Sequence, residues 1–321
     1  MTRAIAIIGA GLCGITAARE LSGHVENVVV FEKSRGLGGR MATRRFAGLS
    51  INHGAPRVTP GNPELEGLLL AAGASQDSLG GWVGRPGMSS IARCMAKGLR
   101  IETRHSVTAI IKGRGGFYLE IENDRRQGPF ARVILAVPAP QARVLLSALP
   151  GISKRLADIE FNPVWAFMAA FGERLDAPNR LTGPVFHRLF RQELPEEIQA
   201  TRDVWVGHAT AEWSSAYLEM PDALVETSMQ AAFAAALGHL PPEPLYCAVH
   251  RWRYALAQKP LGEPYLEVCN GQLLVGGDWA LGHGFDDAWM SGRAMAERVL
   301  LTLPGPTARG RDRAWRSDLT N

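Results

Sequence analysis

Residues 4–8 are apolar without a break, and so are Val28, Val29, Val30 and Phe31. A strand with one wet face alternates apolar and polar residues, whereas a short continuous run is the pattern of a parallel strand covered on both faces. A helix is predicted between them, over about 15–21, so the chain opens as strand, turn, helix, strand. Two later runs read as further strands: 132–137, which leads into Pro138, Ala139 and Pro140, and 272–275, which ends in Gly276 and Gly277. Residues 101–111 and 117–121 read as the strands of a hairpin-like segment. Beyond about residue 161 the pattern changes to strands rich in large side chains, at 165–171, 203–210 and 245–254, with helices between them, including 220–237. That half predicts an antiparallel sheet with helices, separate from the parallel sheet. A last helix is predicted over 287–296, with Asp286 as its N-cap.

The chain has 321 residues, 46% of them hydrophobic and 21% charged, enough apolar material for one large core or two ordinary ones. The net charge of +4 is scattered, and no basic run alternates with aromatics, which argues against a nucleic-acid partner. Part of the excess lies at the end of the chain, where Arg309, Arg311, Arg313 and Arg316 outnumber Asp312 and Asp318; 305–321 reads as a solvated, flexible tail. The apolar start is broken by Gly9, Gly11 and Gly14 and lacks a cleavage-type site, so it is not a signal peptide. No apolar run reaches the roughly 18 residues of a membrane span. Cys13, Cys94, Cys247 and Cys269 are far apart and form no C-x-x-C pair, which fits a reduced cytoplasm. The eight histidines show no metal-ligand spacing, and there is no G-x-S-x-G elbow.

The turn after the first strand is Gly9-Ala10-Gly11-Leu12-Cys13-Gly14. The first glycine permits a tight turn, the second lets the backbone approach a pyrophosphate, and the third lets the helix pack closely on the strand. A pyrophosphate then sits at a helix N-terminus, where free N–H groups and the helix dipole attract anions. Glu32 ends the second strand, eighteen residues past the last glycine, where a carboxylate can accept both ribose hydroxyls. Such a turn serves NAD and FAD alike.

What separates the two cofactors is the stretch that follows, Glu32, Lys33, Ser34, Arg35, Gly36, Leu37, Gly38, Gly39, Arg40, Met41, Ala42 and Thr43. It matches E-x5-G-G-R-x-x-[ST], and from here onward the chain resembles the flavin amine oxidase superfamily. The resemblance implies an α/β fold: a Rossmann-type FAD-binding domain, glutathione-reductase-like with amine oxidase topology, and a second antiparallel-sheet α+β substrate domain. The division it gives is 1–58, 83–158 and 264–304 for FAD, and 59–82 with 159–263 for substrate. It further implies non-covalent FAD, with Arg40 and the paired glycines near the pyrophosphate and a backbone group near Val107 at the adenine. Gly277 and Asp278 resemble the second FAD motif, whose Asp bonds the ribityl or pyrophosphate region. The N–H groups of the helix from Asp287 and Ala288 to Trp289 are expected at flavin N1 and O2, where fixed partial charge stabilises reduced flavin.

Within the superfamily, five stretches resemble the renalase-like flavoproteins: Lys33-Ser34-Arg35-Gly36 through Met41, Trp82-Val83-Gly84 with Pro86 and Met88-Ser89, Val137 to Gln141, His250-Arg251-Trp252 with Tyr254-Ala255, and Gly277-Asp278-Trp279. That likeness implies oxidation of off-pathway dihydro isomers of NAD(P)H, with O2 as acceptor and H2O2 as product. The chain departs from the pattern at 52–58, where Asn52-His53-Gly54-Ala55-Pro56-Arg57-Val58 stands for D-x-G-A-Q-Y-F, and in a short segment between Thr59 and Trp82. His53, His208, Trp213, His250, Trp252 and Trp279 are the side chains expected to face the substrate, a small planar molecule that aromatic faces can stack. Hydride transfer needs mainly placement of the donor carbon, so no acid or base is required. Two other readings stand beside this one: an amine oxidase or desaturase of the same superfamily, and a protein whose FAD is structural or regulatory. The expected assembly is a monomer or homodimer.

Overall fold

The computed structural model describes residues 4–149 and 153–303; the tail expected at 305–321 lies outside them. A six-stranded sheet carries the nucleotide end, in the order Leu266–Val268, Leu273–Val275, Arg132–Leu135, Ile5–Ile8, Val28–Glu32, Ile101–Thr103. All neighbours are parallel except the first pair, which is antiparallel. The continuous apolar runs have a direct cause. Ile5 and Ile7 join a core with the helices, while Ala6 and Ile8 join a second core on the other face, because successive strand residues point to opposite sides.

The helix Leu12–Ser22 packs along the C-terminal helix Phe285–Thr302. Their approach is close enough that a Cβ on Gly292 would lie 2.3 Å from the Cys13 carbonyl oxygen. On the opposite face lies a three-stranded antiparallel sheet, Val107–Gly113, Gly116–Ile121 and Arg125–Phe130. The segment expected as one strand over 101–111 is therefore two. Arg104, at φ 57°, breaks it, and the next N–H, that of His105, bonds the Glu32 carbonyl at 2.9 Å.

The second half is a five-stranded antiparallel sheet, ordered Arg180–Leu181, Phe186–Arg191, Asp203–Ala209, Phe161–Phe171, Tyr246–Ala257. Trp165, Phe167 and Trp205 on one face bury against Val225, Met229 and Phe233 of the helix Asp222–Leu237. Met168, Ala170, Val204 and Val206 on the other face pack on Leu49 and Ile51 from the nucleotide half. The short segment 59–82 touches both halves. Leu65 and Leu69 of its helix Pro63–Ala71 enter the nucleotide core, and Ser78 bonds Glu193. Among the described residues no helix is long and apolar enough to cross a membrane.

Candidate active site

The two glycine-rich turns meet at the carboxyl ends of the first two strands, where open α/β sheets bind ligands. Gly9 has φ 102°, and a Cβ there would lie 2.4 Å from the Ala136 carbonyl oxygen; one on Gly14 would lie 1.9 Å from that of Gly9. Around a Cβ on Gly11, by contrast, nothing lies within 4 Å. Gly11 caps the helix Leu12–Ser22 without a side-chain bond, and the first helical bond runs from Ile15 N–H to its carbonyl. The N–H groups of Leu12, Cys13 and Gly14 thus precede the helical ladder, as an anion site needs. Burial pushes the Cys13 thiol up to about 12, so Cys13 is neutral and offers its backbone. Gly38 N–H bonds the Ala10 carbonyl at 2.8 Å, and Gly39 lies against Gly11.

Glu32 is 8% exposed. Its Oε2 accepts from Ala10 N–H at 2.8 Å and its Oε1 from Ser34 N–H at 2.7 Å. The carboxylate is thereby fixed beside the turn, with lone pairs remaining for two hydroxyls. Lys33 and Arg35 are exposed beyond it, and Met41 is buried in the helix-side core. Val107 begins the strand that leaves this corner. Gly11, Glu32 and the uncapped helix end fit the adenosine and pyrophosphate of FAD.

The flavin end corrects several expectations. Arg40, expected near the pyrophosphate, has its Nη2 paired with Asp278 Oδ1, and its Nη1 donates to the Ala255 carbonyl at 2.7 Å. This pair ties the first FAD motif to the second. Asp278 is 3% exposed and its Oδ2 has no partner, a buried acceptor of the kind a ribityl hydroxyl satisfies. Trp279, expected to face substrate, is 1% exposed in the sheet's core, with Nε1–H bonded to the Val137 carbonyl at 3.0 Å. Both its ring and its N–H are used inside the fold.

The last helix begins at Phe285 with Gly284 as N-cap. Asp286 is not the cap; its Oδ1 accepts from Gly61 N–H at 3.0 Å. Asp287 Oδ2 instead accepts from the N–H groups of His283 and Gly284, at 3.0 and 2.8 Å. Ala288 N–H already bonds the Gly284 carbonyl at 3.3 Å. Any donors for a flavin are thus 285–287, two residues earlier than expected over 287–289. Ser291, which sequence reasoning passed over, is fully buried, accepts from Gly277 N–H at 3.0 Å and donates to the Pro264 carbonyl at 2.7 Å.

Asp278→Asn should leave Arg40 without its counter-charge. Breaking a fully buried pair costs about 3–5 kcal/mol, and with a third of the Arg40 side chain exposed a loss of about 2 kcal/mol is expected. Urea unfolding of the flavin-free protein measures it, and adding Arg40→Gln should recover part of the loss. A single variant as stable as the wild type would remove the pair from the account.

Four of the six expected substrate-facing residues come together where the substrate sheet meets the nucleotide half; Trp213 instead stacks on Tyr217, centroids 4.1 Å apart, against the core on the sheet's other face. Cross-strand register sets Arg188 opposite His208, His208 opposite Ala166, and Ala166 opposite His250. Trp252 stands two residues further along the same face. Against this row lies His53, whose ring stacks on Trp252 with centroids 5.5 Å apart and meets His250 edge-on at 4.9 Å. The His53 carbonyl accepts from His208 Nε2 and Trp252 Nε1–H, both at 3.1 Å. Gly54 is held on the flavin loop, since a Cβ there would lie 1.9 Å from the Arg40 carbonyl oxygen. Asn52 pins the same loop, its Oδ1 meeting Met88 N–H at 3.0 Å and Thr43 Oγ1 at 3.1 Å.

Burial, reinforced by the charge of neighbouring His250, lowers His53 to about 3; burial, with Arg188 nearby, lowers His208 to about 4; His250 is also lowered, by burial and then by Arg44. The three rings are neutral at pH 7. His53 is 5% exposed and its Nδ1 has no partner. Among the described residues no cluster could hold a metal ion.

Residues 72–300 match the model of the family described as flavin containing amine oxidoreductase, and residues 7–70 match the NAD(P)-binding Rossmann-like domain. The fold is similar to that of a putrescine oxidase variant redesigned in cofactor binding, with TM-score 0.71 and 17% identity over 93% of this chain and 99% of that one. A putative protoporphyrinogen oxidase from Exiguobacterium sp. 255-15 gives 0.70 and 13% over 94% and 99%. Wild-type putrescine oxidase bound to putrescine gives 0.68 and 16% over the same shares.

Proposed function

The chain belongs to the flavin containing amine oxidoreductase family, and within it we propose an FAD-dependent oxidase of renalase-like specificity. The donor is a dihydronicotinamide, an off-pathway isomer of NAD(P)H, or a similar small planar molecule. Its hydride passes to flavin N5, and the two electrons pass with protons to O2, giving H2O2. The family makes the chain a flavin-dependent oxidoreductase; the donor is our reading. One observation carries it: the wall facing the flavin site is a row of neutral histidines with Trp252, and among the described residues no carboxylate or lysine forms a hydrogen bond or ion pair with them. Such a wall suits an uncharged planar ring. The unpartnered His53 Nδ1 is a polar group that a ring amide can satisfy.

FAD supplies the two-electron acceptor, and these residues place the donor. Non-covalent attachment is supported by the position of Cys269, which precedes the strand Leu273–Val275 at the end opposite the Gly276-Gly277-Asp278 turn. The four free cysteines are compatible with a cytoplasmic site. A second reading, oxidation of an amine, is favoured by the family match and by the likeness to a putrescine oxidase.

Anaerobic mixing of the yellow protein with dihydronicotinamide isomers, amines and amino acids separates the two. Bleaching by a dihydronicotinamide is expected, with one H2O2 per donor once air is admitted. Bleaching by amines alone would give the site to the second reading.

A further inference from the structure

Two arginines frame the histidine row, and among the described residues neither has a counter-ion. Arg188 stands directly opposite His208 in the antiparallel pair Phe186–Arg191 with Asp203–Ala209, on the face turned toward the flavin site. Arg44 comes from the other wall. It pairs with Ile51 in the hairpin Arg44–Phe46 with Leu49–Ile51, and opposite residues of an antiparallel pair share a face. Ile51 is buried against Val206 and Met168 of the substrate sheet, and Phe46, two residues on from Arg44, stacks on Tyr246 of the same sheet with centroids 4.8 Å apart. Arg44 therefore faces the sheet that bears the histidines.

Both arginines are exposed, and among the described residues neither enters an ion pair or a side-chain hydrogen bond. Asp278 is paired with Arg40, and Asp222, which acts on His250, is paired with Arg251 on the helix side of the sheet. Their positive field is felt in the row, since Arg44 disfavours protonation of His53 and His250, and Arg188 that of His208. Two unpaired guanidinium groups beside a neutral aromatic wall form a binding site for a planar molecule with an anionic end.

We infer that Arg44 and Arg188 recognise a carboxylate or phosphate on the hydride donor and discriminate against a donor carrying an ammonium group. The inference rests on the reading that donors approach the flavin along the histidine row, and it goes beyond that reading by fixing the charge the donor must carry. The nicotinamide-like ring lies against Trp252, which is backed by His53, while the anionic end reaches outward to the arginines. A polyamine placed there would bring its charge against two like charges.

Calorimetric titration of the FAD-loaded protein, under anaerobic conditions and low salt, with four ligands of one shape tests this: benzoate, phenyl phosphate, benzyl alcohol and benzylamine. Benzoate and phenyl phosphate are expected to bind about tenfold more tightly than benzyl alcohol, an advantage that shrinks as salt is raised, and benzylamine more weakly than benzyl alcohol. The stronger of the two anions identifies the group as carboxylate or phosphate. Arg44→Gln and Arg188→Gln should each reduce the advantage of the anions while leaving benzyl alcohol binding and thermal stability unchanged, because both side chains are exposed and unpartnered. Benzylamine binding as tightly as benzoate, no binding by either anion, or variants that bind anions like the wild type would each overturn the inference. If the anion preference holds but no dihydronicotinamide bleaches the flavin, the proposed donor falls and the charge selection stands.

Discussion

Glu32→Ala is expected to purify without its flavin. The carboxylate already accepts two backbone N–H groups, from Ala10 and Ser34, so it reaches the ribose pre-oriented. Each charge-assisted bond to a ribose hydroxyl is worth on the order of 1.5–3 kcal/mol. Losing both weakens FAD binding by roughly 10²- to 10⁴-fold. The same substitution strips acceptors from two N–H groups, the one on Ala10 buried, so the flavin-free variant should also melt below the flavin-free wild type. The ratio of flavin to protein, read from the visible and ultraviolet absorbance, checks the first effect, and thermal unfolding of both flavin-free forms checks the second. Glu32→Asp, one methylene shorter, should keep a fraction of the flavin. An alanine variant that retains a full complement of FAD would remove Glu32 from the ribose. Full loss of flavin with an unchanged melting temperature would instead mean that the two backbone bonds contribute nothing to the turn.

The nucleotide end was legible because its physics is local. Gly9, Gly11 and Gly14 are where a backbone must turn, leave room and pack closely, and each requirement acts within a few residues of the glycine that meets it. The boundary errors have a common origin. Residues 101–111 read as one strand because β-branched residues recur along it, whereas the turn at Arg104 is set by a bond to Glu32 from a distant strand. Asp286 is a plausible cap by type, but the closing loop puts Gly284 at the N-cap, and Asp287, three residues on, accepts its N–H.

Side-chain direction was the part the pattern could not carry. Trp279 follows a flavin motif and is aromatic, yet its N–H is claimed by Val137, 142 positions away in the chain. Arg40 sits in a loop expected at a pyrophosphate, and its pairing with Asp278, far along the chain, is not visible in the pattern. The histidine row is a product of register: Arg188, His208, Ala166 and His250 become neighbours only when four strands align. Types and spacing nominated His53, His208, His250 and Trp252, but nothing in the chain's order reveals that Ala166 leaves space between two of them or that Arg44 arrives from the facing hairpin.

The same register makes the protein sensitive to acid in a window where carboxylates are still ionised. His53 and His208 titrate near 3 and 4 in the fold, against an ordinary 6.5, so the folded state holds them neutral while the unfolded chain protonates them below about 6.5. Their pKa values are depressed on folding, and the stability they permit is complete above pH 6.5 and lost as pH falls toward the folded values. At pH 5 each has cost about 2 kcal/mol, and His250, lowered in the same direction, adds to the loss. Besides burial and one another, these rings feel Arg44, Arg188 and His187, which oppose protonation, Asp222, which favours it at His250, and the backbone of Ile51 and of His53, which favours it at His53 and His208 respectively. Urea unfolding at pH 7 and pH 5 should therefore show a fall of several kcal/mol, with the midpoint unchanged between pH 7 and 8. His53→Gln and His208→Gln lose stability at pH 7, because each removes a packed ring. The slope between pH 6.5 and 5 should nonetheless decrease in each, by up to about 1.4 kcal/mol per pH unit. A wild type whose stability is level from pH 7 to pH 5, or variants that keep the wild-type slope, would mean that the row is open to water and that its rings are not held neutral by the fold.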